Sequence, residues 1–356
     1  MELSGEKLNK AADYAEASFR LMWKLFSENG RGRALTGMED ASEGIRTIVR
    51  DTYLVDSCPI YELEIPLSGE PYADFTVGYY AQELPEQINI VGNHLKPKEE
   101  LIKHYQEMLV RDGDCNEVCF EFDVSVGETK LPAYGFVPYD TDDHTVSTNQ
   151  KRIKDFCIAI HQEDRIDVAI KAYDKAPGNW KPLYQGVSDV REDAPMRIAW
   201  LLDHDCKKIY QNDPERLKKD LIDVRGNIEE ESIIDQMREV LSGDGAVELQ
   251  MDLFKDGSFS PFIGMCVQTY SFSKEDPQKS FEDYIKLGQK WGIADNRCKY
   301  LSLEKESVTI PYYDEKKGMI HKRINLGLFV LKFKWSNKGV MPLKAYYYLK
   351  SSITKW

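Results

Sequence analysis

Apolar and polar positions along this chain repeat with two different periods, in turn. Residues 6–27 place Ala12, Ala15, Phe19, Leu21, Met22, Leu25 and Phe26 at i, i+3 and i+4 spacings, which predicts an amphipathic helix. A shorter helix is predicted over 40–50. PIYELEIPL (59–67) and ADFTVGYY (73–80) then alternate strictly, with a turn at Ser68-Gly69-Glu70-Pro71 between them, and read as paired strands. The unit recurs. A helix over 97–110, opened by proline and two glutamates, precedes EVCFEFDV and PAYGFVPY. A helix over 149–162 precedes IDVAIKAYD, read as a strand, and PMRIAWLL, with 175–194 as a loop insertion between them. Helices over 214–223 and 229–241 lead to AVELQMDLF and SPFIGMCVQTYSF. A last helix over 277–291 leads through a polar stretch to INLGLFVLKFKW and MPLKAYYYL.

Isolated hairpins are marginally stable, so these strands are expected to share one sheet. A long antiparallel sheet either leaves exposed edges or closes on itself. The expected fold is α+β: a ten-stranded antiparallel barrel of five αββ units with helices outside, forming one domain over 1–356. An open sheet whose polar face meets water is the alternative.

Composition narrows the classes. With 42% hydrophobic residues in 356, the chain can bury a core, and no run approaches a membrane span. A net charge of −13 argues against nucleic acid as a partner. Seven cysteines, an odd number with no metal-ligand spacing, and an N-terminus without an apolar stretch fit reduced thiols in the cytoplasm. No metal site is expected from the scattered histidines. GxGxxG, P-loop, GxSxG and HExxH signatures do not occur.

Strand alternation assigns the faces. Tyr61, Leu63, Ile65, Leu67, Phe329, Leu331, Phe333, Trp335, Leu343, Ala345, Tyr347 and Leu349 should meet the helices. The lumen would then receive Glu62, Glu64, Asp74, Thr76, Glu121, Asp123, Lys171, Tyr173, Arg197, Glu248, Gln250, Asp252, Gln268, Tyr270, Lys332, Lys334, Lys344, Tyr346, Tyr348 and Lys350. Lys332, Lys334 and Lys344 read either as solvated strand lysines or as a clamp on an anionic group. Tyr173, Tyr270, Tyr346 and Tyr348 either pack or shield a carbocation with their π-faces. Glu62 and Glu64 either pair with the lysines or supply a general base. The acidic side of the lumen suits a cationic ligand or a magnesium ion.

This layout resembles the ABBA-type aromatic prenyltransferases, which include the dimethylallyltryptophan synthases and the cyanobactin-type peptide prenyltransferases. PIYELEIPL is similar to their first strand, and IKAYD and LKAYYYL to their Lys-x-Tyr strand motif. PMRIAWLL offers Arg197 where an Arg-x-Lys-x-Tyr strand often begins. The resemblance implies transfer of an allylic prenyl group from prenyl diphosphate, the co-substrate, to an aromatic small molecule or a peptide side chain in natural-product biosynthesis. It implies Glu62 or Glu64 as the catalytic carboxylate and Lys171, Arg197, Lys332, Lys334 and Lys344 on the pyrophosphate. Tyr134, Tyr173, Tyr270, Tyr346 and Tyr348 would shield the cation. Ala199 and Leu201 stand where a lysine and a tyrosine are expected, and Pro132 where another lysine is expected. The alternative is therefore an ABBA-fold protein that tailors or recognises a ribosomally made peptide without transferring prenyl groups.

Overall fold

The computed structural model describes residues 5–51, 60–80, 117–124, 134–138, 145–159, 162–187, 194–226, 230–314 and 318–354. The helix expected over 97–110 lies outside these residues. The strands are β1 (Ile60–Pro66), β2 (Asp74–Tyr80), β3 (Glu117–Phe122), β4 (Tyr134–Pro138), β5 (Lys181–Val187), β6 (Met196–Leu202), β7 (Val247–Leu253), β8 (Phe259–Gln268), β9 (Glu306–Asp314), β10 (Gly318–Ser336), β11 (Gly339–Val340) and β12 (Lys344–Thr354). The helices are α1 (Gly5–Phe26), α2 (Arg31–Thr36), α3 (Glu43–Asp51), α4 (Val146–Ala159), α5 (Ile166–Lys175), α6 (His204–Asn212), α7 (Pro214–Arg225), α8 (Glu231–Ser242) and α9 (Pro277–Lys290).

Pairing runs β10-β12-β1-β2-β3-β4-β5-β6-β7-β8, and β8 pairs back onto β10. Every contact in this circuit is antiparallel, and the last one aligns Val330 with Gln268 and Trp335 with Ile263. The expected ten-stranded ring is therefore present. Beyond it, β9 and the first half of β10 form a hairpin, with Gly318 opposite Asp314 and Leu326 opposite Glu306, where the sequence reading expected only a polar stretch.

The helices cover the outside of the ring because the outward positions are apolar. Tyr61, Leu63 and Ile65 of β1, Ala345, Tyr347 and Leu349 of β12, and Phe333 and Trp335 of β10 are all buried. Phe19 of α1 meets Tyr61 and Phe75 edge-on at 5.3 and 5.5 Å, and Phe26 meets Tyr347 at 5.5 Å. On the neighbouring strand β10, Tyr284 of α9 and the following Trp291 pack on Phe333 at 6.1 and 5.6 Å. Helix α9 starts where its sequence says it should: Asp276 accepts from the Lys279 amide at 2.9 Å and Pro277 is the first helical residue.

Gly288 lets α9 approach closely. A β-carbon there would lie 2.8 Å from Leu343 Cδ2 and 3.1 Å from Ala294 Cβ. Overpacking a core costs about 1–3 kcal/mol, against roughly 1 kcal/mol gained from the better helix propensity of alanine. Because Leu343 is fully buried, the clash dominates. Gly288→Ala is expected to lower stability by up to about 2 kcal/mol, read as a lower urea midpoint at unchanged slope.

Two expected assignments are corrected. IDVAIKAYD is helix α5, and the strand of that unit is β5, KPLYQGV, inside the stretch read as a loop. The strand read through Tyr270 ends at Gln268, and Tyr270 sits on a helical turn over Thr269–Ser271. No helix among the described residues is long and apolar enough to cross a membrane.

Candidate active site

Strand register stacks the lumen side chains into rows. One row runs Gly327, Tyr348, Glu62, Thr76 and Glu121 across β10, β12, β1, β2 and β3, and the backbone of Tyr134 on β4 is in register with Glu121. A neighbouring row runs Gln268, Val330, Tyr346, Glu64, Asp74. In a third, Lys332 lies between Lys344 of β12 and Cys266 of β8, which in turn opposes Glu248. Glu62, Glu64, Lys332, Lys334, Lys344, Tyr346 and Tyr348 thus share the inner wall, as their alternation predicts.

The lumen lysines form a linked set. Lys344 Nζ and Tyr346 Oη both donate to the Glu64 carboxylate, and Lys332 Nζ donates to Tyr346 Oη at 3.1 Å. Lys344 also lies over the Tyr72 ring, and Lys334 Nζ stands 4.4 Å above the centre of Phe262. Arg197 pairs with its register partner Asp252, Nε to Oδ1, at 2.9 Å. Two of the four cations are therefore neutralised by an adjacent carboxylate. Among the described residues, none pairs with Lys332 or Lys334.

Charge and burial spread the titrations apart. Burial alone would raise Glu64, but Lys344 and Lys332 overcome it and hold the carboxyl at about 2. Burial, and then the Glu64 charge, push Glu121 up to about 7. Glu121 has no hydrogen-bond or ion-pair partner among the described residues. Burial also raises Glu248, which accepts from Gln268 Nε2 at 2.9 Å. Burial, Lys332 and Arg197 together bring Lys334 down to about 8, so it remains mostly cationic at neutral pH.

An aromatic wall adjoins the lysines. Between Leu328 and Val330 the β10–β12 register shifts by one residue, a bulge that takes Phe329 out of the outward set. Its ring meets Tyr346 and Tyr348 edge-on at 6.2 and 6.0 Å. Phe329 was expected against the helices, and this is a correction. Gly327 completes the wall: a β-carbon there would lie 2.8 Å from the Tyr348 ring, so only glycine lets that ring lie against the β10 backbone.

Other expected site residues lie elsewhere. Lys171 is exposed on α5, and Tyr173 on the same helix is buried between helix and sheet, 5.4 Å from the Trp200 ring and accepting from Gln185 Nε2 at 3.3 Å. Neither reaches the lumen. Tyr270, on its turn, is 63% exposed. Tyr134 holds its register position opposite Glu121. Sequence alternation placed Glu121 on the inner wall, but gave no reason to single it out.

Among the described residues, no three of histidine, cysteine, aspartate and glutamate are grouped to hold a metal ion. Glu64 is committed to Lys344 and Tyr346.

No protein-family model matches the sequence, and no curated protein matches it. Solved structures do. A 6-dimethylallyl tryptophan synthase superposes with a TM-score of 0.52 at 10% identity, covering 93% of this chain and 95% of its own. The prenyltransferase PriB in its binary complex with product diphosphate gives 0.51 at 10% identity, with 95% of both chains covered. PriB in its ternary complex with L-tryptophan and dimethylallyl thiolodiphosphate gives 0.50, at the same identity and coverage. At such identity the likeness establishes the fold.

Proposed function

We propose that this chain, whose fold is the ABBA-type barrel of aromatic prenyltransferases, transfers an allylic prenyl group from a prenyl diphosphate to an electron-rich aromatic acceptor. The acceptor is a small molecule or a peptide side chain from natural-product biosynthesis. The observation that carries this reading is the pair Lys332 and Lys334: adjacent lumen cations without carboxylate partners among the described residues, beside the Phe329, Tyr346 and Tyr348 rings.

The diphosphate lies on Lys332 and Lys334, with Lys344 and Arg197 at its edges. Charge-assisted hydrogen bonds in a partly desolvated lumen hold such a group strongly. When the allylic C–O bond breaks, the electron pair leaves with the diphosphate and the cation faces the aromatic wall. The acceptor ring carbon forms the new C–C bond, and its proton passes to a carboxylate.

Glu64 is a poor proton acceptor because its conjugate acid is held near 2. We assign the proton to Glu121, raised to about 7, with Glu62, two strands away in the same row across Thr76, orienting the acceptor. No step is routed through a metal. Positioning and charge stabilisation supply the rate.

A non-hydrolysable prenyl thiodiphosphate is expected to raise the Tm by several degrees at saturation, increasing with concentration, because it binds only the native barrel. An unchanged Tm would favour the alternative, a barrel that recognises a peptide without prenyl transfer.

A further inference from the structure

Lys332, Lys334, Lys344 and Arg197 face the lumen, and the chain supplies its own counter-anion to two of these four, Lys344 and Arg197. Glu64 is almost wholly buried. It accepts from Lys344 and from Tyr346, and Tyr346 accepts in turn from Lys332. One carboxylate therefore organises two of the three lysines Lys332, Lys334 and Lys344. Strands β10 and β12 are neighbours in which Lys332 and Lys344 stand directly opposite each other. Without an anion between them, the two ammonium groups would repel at close range, and a buried unpaired lysine is costly. The arrangement stabilises the folded barrel, and any other anion that needs the same donors has to compete with it.

We propose that Glu64 is an internal competitor for the diphosphate: its carboxylate occupies donors that a diphosphate requires, and binding proceeds by displacing it from Lys344 and Tyr346. The inference rests on reading this lumen as a diphosphate site. A single carboxylate is displaced by a polyanion that spans Lys332, Lys334 and Lys344 together. An anion that reaches only one of them displaces it poorly. Glu64 thereby selects diphosphate over monophosphate. Asp252 does the same for Arg197 at the other margin of the site, where the pair is also side by side in register.

The test is calorimetric titration of the full chain with inorganic diphosphate and, separately, inorganic phosphate. Glu64→Gln is expected to bind diphosphate at least about tenfold more tightly than the wild type, and to narrow the preference for diphosphate over phosphate. Unchanged or weaker diphosphate binding in that variant overturns the proposal. Glu64→Asp keeps the charge but withdraws it by one methylene, and is expected to fall between the two. Should Glu64→Gln fail to fold, tighter binding by Glu64→Asp supports the proposal and equal or weaker binding overturns it. If neither wild type nor variants bind diphosphate, the diphosphate site itself is wrong and the proposal falls with it. If the wild type binds and no Glu64 variant binds more tightly, the site stands and only the internal competitor is lost.

Discussion

Turnover of prenyl diphosphate by the Lys332→Gln/Lys334→Gln double variant is expected to fall by at least about a thousandfold. Removing a single preorganised donor to developing negative charge costs about 10²–10³ in rate. Here the two cations without carboxylate partners among the described residues would go together. The loss should appear in binding as well as in the chemical step, because the same lysines hold the ground-state diphosphate. Folding should be nearly untouched. Lys332 stands opposite Lys344 in register, so neutralising it relieves a repulsion between like charges while giving up one hydrogen bond to Tyr346. A Tm within a few degrees of wild type, with turnover abolished, is the expected pair of measurements. Full turnover in the double variant would refute the assignment of the diphosphate to these lysines.

The second large effect belongs to Glu121. A proton acceptor has to be ionised, so kcat/KM should rise about tenfold per pH unit on the acid side of about 7 and fall again above about 8, where Lys334 loses the charge that holds the diphosphate. Glu121→Gln is expected to lower kcat by about 10²–10⁴ and to remove the acid limb, leaving residual activity flat across that limb's range. The sign follows from burial: the lumen and the Glu64 charge disfavour the Glu121 anion, so its pKa moves up toward neutrality. Steady-state rates from pH 5 to 9 on both proteins decide it. An acid limb that survives in Glu121→Gln assigns the proton elsewhere, Glu62 first.

The barrel was legible in the sequence wherever one face of a strand is apolar throughout. In β1 and β12, period two sorts Tyr61, Leu63 and Ile65 from Glu62 and Glu64, and Ala345 and Tyr347 from Lys344 and Tyr346, because only one set can meet the helices. IDVAIKAYD defeats this reading because it satisfies both periods. Ile166, Val168, Ile170 and Ala172 alternate, while Ile166, Ala169, Ile170 and Tyr173 fall on one helical face, and the second pattern prevails. Lys171 and Tyr173 left the site with it. Its true strand, KPLYQGV, hides because it carries a proline and a register shift after Pro182. In INLGLFVLKFKW, residues on both faces are apolar ahead of the lysines, so alternation cannot reveal the bulge at Phe329. The neighbouring Gly327 was the one cue available. Glu121 differs again. Its lumen position follows from alternation, but its elevated pKa arises from residues on other strands, and no local pattern encodes them.

The closing contacts of the ring have a temporal consequence. Glu64 meets Tyr346 across 282 residues of chain and Lys344 across 280, and β10 both joins β8 and supplies Lys332 and Lys334. Pairings so distant in sequence are slow to form. Until they do, β1 and β8 present bare edges to any passing strand. During biosynthesis the lysine cluster and the seal of the cylinder form together, after the strands that carry Glu62, Glu121 and Arg197, so a partly made chain is exposed to misassociation and lacks the lysines of the site.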